Sequence, residues 1–135
     1  MVEAITRPTQ IEISQKALKN NVAVVKRVSG AEKIFLAVKS NAYGLGLIPT
    51  AKAAVAGGVY GLAVAIIDEA LALRHERITA PILILGISPA EYAELMAVQH
   101  IMATVVSLDW LQEAAQYLTG EQRLHVSLGV DTGDR

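Results

Sequence analysis

The sequence predicts an α/β domain built on a parallel sheet, and three observations carry that prediction. Five short runs are rich in β-branched and aliphatic residues: 34–38 (IFLAV), 60–64 (YGLAV), 81–85 (PILIL), 102–106 (MATVV) and 124–130 (LHVSLGV). The first four do not alternate clearly between apolar and polar positions, as expected of strands in a parallel sheet covered on both faces. Their starts fall roughly 21–26 residues apart, the room that a strand, two loops and a helix require.

The intervening segments read as helices. Ser14 caps a first helix in which Leu18, Val22, Val25 and Val28 fall on one face, with Lys19, Asn20, Lys26 and Arg27 around the rest. Pro49 sits in the first turn of the next, and Gly57-Gly58 stops the run TAKAAVA. A third helix runs from Ile67 to about His75. Ser88-Pro89-Ala90-Glu91 reads as a capping box with proline at the first helical position. Ser107 caps the last helix, with Leu111, Ala115 and Leu118 as its inner stripe and Thr119-Gly120 as its stop. Strands alternating with helices leave two closures open, a doubly wound sheet or part of a (β/α)8 barrel. A closed barrel needs eight strands and typically ~250 residues, so the 135 residues here supply only part of one.

Composition excludes several functions. The chain is 53% hydrophobic and 19% charged, too apolar for disorder. Its net charge of -1 lacks the basic excess of a duplex-binding domain, and 4% aromatic residues argue against a stacking surface for single strands, so no nucleic acid partner is expected. With 0 cysteines there is neither a disulfide scaffold nor a cysteine-ligated metal. His75, His100 and His125 show no ligand spacing such as H-x-x-x-H, so no metal is expected. Residues 1–8 lack a signal-peptide core. The longest uncharged apolar stretch, 57–67, is about half of what a spanning helix needs. A cytoplasmic location with no membrane contact follows as the expectation. Glu69, Arg74, Lys26 and Arg27 read as solvated helix faces.

The segment 38–46, VKSNAYGLG, is the most informative. Lys39 directly follows an apolar strand, and ligands of parallel α/β sheets bind at the carboxyl ends of strands. Apolar walls disfavour an ammonium there, and a neutral amine can attack a carbonyl to form a Schiff base. Asn41, Tyr43 and two glycines follow, as a flexible loop with hydrogen-bonding groups close to the lysine. On chemistry alone, a solvated lysine after a strand remains open.

VKSNAYGLG resembles the pyridoxal phosphate lysine motif of alanine racemases, A-V-V/L-K-A-N-A-Y-G-H-G. Ala37, Val38, Lys39, Asn41, Ala42, Tyr43, Gly44 and Gly46 agree, while Ser40 and Leu45 replace a common alanine and histidine. The resemblance spans nearly the whole chain. Residues 9–21 (TQIEISQKALKNN) resemble the family's W-x-E-I-D-L-x-A-L-x-H-N start, residues 60–64 its second strand and residues 67–73 its E-A-x-x-L-R region. Residues 127–133 (SLGVDTG) resemble its H-L-K-V-D-T-G.

The resemblance implies a partial TIM-type (β/α)8 barrel, with about five of eight βα units in residues 1–135. The rest of the barrel and a C-terminal β domain would lie outside this N-terminal piece, and the full-length enzyme would be a homodimer. It implies racemisation of L- and D-alanine by two bases, which supplies D-alanine for peptidoglycan. Lys39 would hold the pyridoxal phosphate and act as one base. Tyr43 would reach the cofactor phosphate, and Leu85 would lie near the pyridine ring. The family's D-T-G-M-G-R arginine contacts the ring nitrogen. Arg135 stands one residue early for that role, and Gly129 replaces a lysine that supports the arginine in many members. Two rivals are a pyridoxal phosphate homeostasis barrel, whose lysine segment lacks N-A-Y-G, and an inactive piece serving as an interaction module. V-D-T-G also resembles the catalytic turn of aspartic proteases, but the helical patterns contradict that all-β fold. Asp131 then reads as a strand-end turn residue.

Overall fold

The computed structural model describes residues 12–133, so Arg135 and residues 9–11 of the opening resemblance lie outside the described residues. Five strands form one sheet: β1 (Phe35–Ala37), β2 (Gly61–Val64), β3 (Ile82–Ile84), β4 (Ile101–Val105) and β5 (Val126–Leu128). Their spatial order is β1-β2-β3-β4-β5 and every neighbouring pair is parallel. That order separates the two closures. A doubly wound sheet reverses direction at a switch point, whereas barrel strands follow one another around the axis. The chain is therefore an arc of a (β/α)8 barrel.

The helices are α1 (Gln15–Ser29), a single turn α2 (Lys39–Tyr43), α3 (Leu47–Ala56), α4 (Ile67–His75), α5 (Ala93–Val98), which a 3-10 turn (Ala90–Tyr92) precedes, and α6 (Leu108–Tyr117). The core lies between the sheet and this helical layer. Leu62, Val64, Ile82, Ile84, Ile101 and Val105 meet Ala51, Ala54, Ala70, Leu73, Ala93 and Met96 there. β2 is buried at all four positions, as its continuous apolar run suggests. β4 alternates, with Ile101, Ala103 and Val105 buried and Met102 and Thr104 half-buried. Its two faces thus differ, which the apolar run MATVV does not reveal.

Helix α1 starts as expected: the Ser14 hydroxyl accepts from the Ala17 N–H at 3.2 Å. It ends at Gly30, whose φ of 66° is the left-handed cap that glycine adopts freely. The predicted apolar stripe is only half used. Val22 is buried and Leu18 half-buried, but Val25 and Val28 are 51% and 78% exposed. The reason is that α1 rests on α3, which covers a narrow stripe. The contact is close: a Cβ at Gly57 would stand 3.2 Å from the Lys19 Cα.

Two further expectations are corrected. Residues 88–91 do not form a capping box. Ser88 is buried and its carbonyl accepts from the Trp110 indole N–H at 2.7 Å. Pro89 leads into the 3-10 turn without a side-chain cap. In α6, Ser107 does cap, accepting from the Trp110 N–H at 3.2 Å. The inner stripe is Trp110 and Ala114, not Leu111 and Ala115, which are exposed; Leu118 is half-buried and lies past the helix end. The anchored indole fixes the rotation of α6 one residue away from the aliphatic stripe.

Arg74 is no solvated side chain. It donates to four backbone carbonyls: Ile78 at 2.6 Å, His100 at 2.8 Å, and Gln99 and Ala80 at 2.9 Å. These clamp the end of α4 to the entries of β3 and β4. Burial draws the guanidinium pKa below its ordinary value, yet arginine stays charged in proteins, so all donors remain available. His100 and His125, separate in sequence, share one cavity of about 320 Å3 with Arg74 and Tyr60 at this end of the sheet.

Candidate active site

The site is built where β1 ends. The Val38 N–H donates to the Ala63 carbonyl at 2.8 Å, prolonging the β1–β2 ladder by one residue, and the Val38 side chain is fully buried. The next residue is Lys39. It is half-buried, and its ammonium has no hydrogen-bond or ion-pair partner among the described residues.

The segment after Lys39 is not a flexible loop. Ser40 (φ 54°, ψ 51°), Asn41 (56°, 41°) and Ala42 (54°, 47°) are left-handed, and Tyr43 follows with φ 54°. This is a turn of left-handed helix without a glycine. For L-residues that conformation costs roughly 1–2 kcal/mol each, and such strain persists only where surroundings enforce it. The enforcement is visible. The Ala42 N–H donates to the Val38 carbonyl at 2.8 Å, and the Gly46 N–H to the Asn41 carbonyl at 3.0 Å. Asn41 Oδ1 accepts from the Leu47 N–H at 2.8 Å, which fixes the start of α3. The Ala42 methyl is buried. Gly44 and Gly46, with φ of 90° and 92°, carry the chain out of the turn.

Glu69 completes the arrangement. Its Oε1 accepts from the Asn41 N–H at 3.2 Å and its Oε2 from the Ala65 N–H at 2.9 Å. The expectation that Glu69 belongs to a solvated face is therefore wrong. The carboxylate bridges the left-handed turn and the exit of β2. The sequence signal was present but ambiguous, because an acidic residue in the first helical turn is common for reasons of the helix dipole alone.

The other predicted residues lie at the same end of the sheet. Leu85 donates its N–H to the Val64 carbonyl at 2.8 Å just past β3, and its side chain is 44% exposed. Tyr43 is 65% exposed. Thr104, not singled out from sequence, donates its hydroxyl to the Ile84 carbonyl at 2.7 Å and steadies the β3 exit. Gly129 follows β5; a Cβ there would stand 3.1 Å from Val106 Cγ1 and 3.3 Å from Thr104 Cγ2. Any larger side chain at 129 must displace those two. Asp131 makes a turn, as expected, with its Oδ1 accepting from the Gly133 N–H at 2.9 Å. A groove of about 280 Å3 opens beside α4, lined by Ile66, Ile67, Leu71, Ile87, Pro89 and Leu95 among others. Lys39, Tyr43 and Leu85 do not line it.

Residues 13–135 match the family model described as alanine racemase, N-terminal domain. The chain belongs to that family. It is 50% identical over 133 residues to the lysine racemase of Oenococcus oeni and 46% identical over 137 residues to the alanine racemase of Levilactobacillus brevis. Each alignment covers 98% of this chain, and 36% and 37% of those relatives. The crystal structure of alanine racemase from Oenococcus oeni superposes with a TM-score of 0.91 at 48% identity, over 99% of this chain and 37% of that one. The chain thus spans just over a third of the length of the relatives it matches. Family membership agrees with the barrel arc, since the described sheet, Phe35 to Leu128, lies wholly within the matched region 13–135.

Proposed function

We propose that this chain is the N-terminal part of the pyridoxal phosphate barrel of an alanine racemase, and that the whole protein interconverts L- and D-alanine. The observation that carries the reading is Lys39: a half-buried amine without a partner among the described residues, at the carboxyl end of β1, followed by a strained turn that its surroundings hold in place. These residues fit pyridoxal phosphate. A primary amine is the group that captures its aldehyde, and the exposed Tyr43 hydroxyl is a donor suited to its phosphate.

Bound pyridoxal phosphate supplies an electron sink for charge at the substrate α-carbon. Lys39 holds the cofactor and, as an amine, takes or returns a proton at that carbon on one face. General acid–base groups of this kind contribute typically ~10²–10⁴-fold. With the cofactor bound, Tyr43 would hold its phosphate and Leu85 would lie beside the ring, while Arg135, outside the described residues and one residue early in register, is the arginine that the resemblance offers for the ring nitrogen. The base for the opposite face comes from the remainder of a homodimeric protein, along with its C-terminal β domain. A cytoplasmic enzyme making D-alanine for peptidoglycan fits this reading. Among the described residues no helix is long and apolar enough to cross a membrane.

A second reading concerns substrate. The Oenococcus oeni relative at 50% identity is named a lysine racemase, so a longer amino acid is a specific alternative. α-Deuterium exchange in deuterated water, run on alanine and on lysine with the whole protein, tests both. Exchange on alanine that Lys39→Ala abolishes supports the proposal. Faster exchange on lysine transfers it to the second reading. Exchange that survives Lys39→Ala contradicts both.

A further inference from the structure

Both carboxylate oxygens of Glu69 are used on backbone N–H groups from two different elements. One donor, Asn41, is in the left-handed turn that follows Lys39. The other, Ala65, is the first residue past β2. Glu69 itself is the third residue of α4 and is half-buried. Five neighbouring amides find partners within the segment: Ala42 on Val38, Gly44 and Gly46 on Asn41, Leu45 on Ala42, and Leu47 on the Asn41 side chain. The Asn41 amide reaches outside the segment, to a charged acceptor. Hydrogen bonds to an ionised carboxylate are roughly twice as strong as neutral ones. The contact therefore sits where the strained backbone has most to gain from it.

We infer that Glu69 is a positioning residue: its carboxylate locks the left-handed turn against β2 and α4, and so sets where the Lys39 amine and the Tyr43 hydroxyl stand relative to each other. The inference rests on the proposed role of Lys39 as the cofactor lysine. Glutamine at 69 has the same shape but only one acceptor oxygen, so its NH2 must face one of the two N–H donors. Either the turn or the β2 exit then loses its anchor.

The test uses the whole protein and compares the parent with Glu69→Gln, Ser40→Gly/Glu69→Gln and Lys39→Ala. Ser40 is exposed, with φ 54°, and glycine takes that conformation without strain. Three quantities are measured: the dissociation constant for pyridoxal phosphate, from the absorbance of lysine-bound cofactor; kcat and KM for alanine; and the melting temperature of the cofactor-free protein. Glu69→Gln is expected to weaken cofactor binding about tenfold. It should lower kcat by about 10–100-fold, the scale of a small misplacement of a reacting group, with KM nearly unchanged. Adding Ser40→Gly should recover much of both losses, because it relieves the strain that the carboxylate otherwise holds. A barrel-wide packing defect would lower the melting temperature and would not be rescued. Parent-like binding and turnover in Glu69→Gln, or no rescue by Ser40→Gly, overturns the inference. So does failure of both variants to fold. If Lys39→Ala bleaches the cofactor absorbance while Glu69→Gln behaves as the parent, only the role of Glu69 falls. If Lys39→Ala keeps the absorbance, the assignment of Lys39 falls, and the inference with it.

Discussion

Arg74 and Lys39 illustrate opposite uses of a cation. Arg74 spends its donors on the four carbonyls of Ile78, Ala80, Gln99 and His100, so its work is structural. Arg74→Met keeps much of the side-chain volume and leaves those acceptors at the entries of β3 and β4 without their donor. We expect the whole protein to lose about 2–4 kcal/mol, the range for breaking a partly buried charged hydrogen-bond network, read as a lower urea midpoint at unchanged slope. Lys39 makes no hydrogen bond or ion pair among the described residues, which suits the role proposed for its amine. In the sequence, the position of Lys39 after an apolar strand left a solvated lysine open, and it was the resemblance of VKSNAYGLG to a cofactor-lysine motif that singled it out. Sequence alone missed Arg74 and Glu69, each of which joins a partner 4–6 residues away to one 25–28 residues away in the chain. The left-handed turn was likewise half legible. Asn41 and the two glycines tolerate positive φ, but nothing in the identities of Ala42 and Tyr43 signals it.

At the scale of elements, local signals worked where one residue decides a boundary. Ser14 and Ser107 cap as their chemistry requires, and α4 has the expected bounds, Ile67–His75. They failed where a distant partner decides. Trp110 turns α6 by binding the Ser88 carbonyl, and the same bond draws Ser88 away from a capping role. This yields a paired prediction. Trp110→Phe leaves the Ser88 carbonyl buried without its donor and should cost about 1–3 kcal/mol. Leu111→Ala, on the neighbouring but exposed face, should cost less than about 1 kcal/mol. Thermal melts of the two variants check the rotation of α6, and a larger loss for Leu111→Ala would contradict it. Leu73, fully buried on α4, supplies the benchmark: Leu73→Ala should cost about 2–5 kcal/mol.

For the molecule as a whole, the order β1-β2-β3-β4-β5 leaves β1 and β5 as the outer strands of the described sheet. Leu128 and Val126 on β5 are 73% and 44% exposed. Unpaired strands with apolar side chains recruit other chains. Residues 1–135 expressed alone should therefore self-associate in sedimentation, and should show no α-deuterium exchange on alanine even with excess cofactor, for want of a base on the second face. A cooperatively melting monomer that exchanges would contradict both expectations. The central claim, that this family member works through Lys39, has a more direct test. The whole protein is loaded with pyridoxal phosphate, reduced with borohydride, digested and mapped by mass. The expected result is a reduced pyridoxyl group on Lys39, in the peptide that carries the left-handed turn; a label on any other lysine, or a folded protein with no label, would contradict the assignment of Lys39.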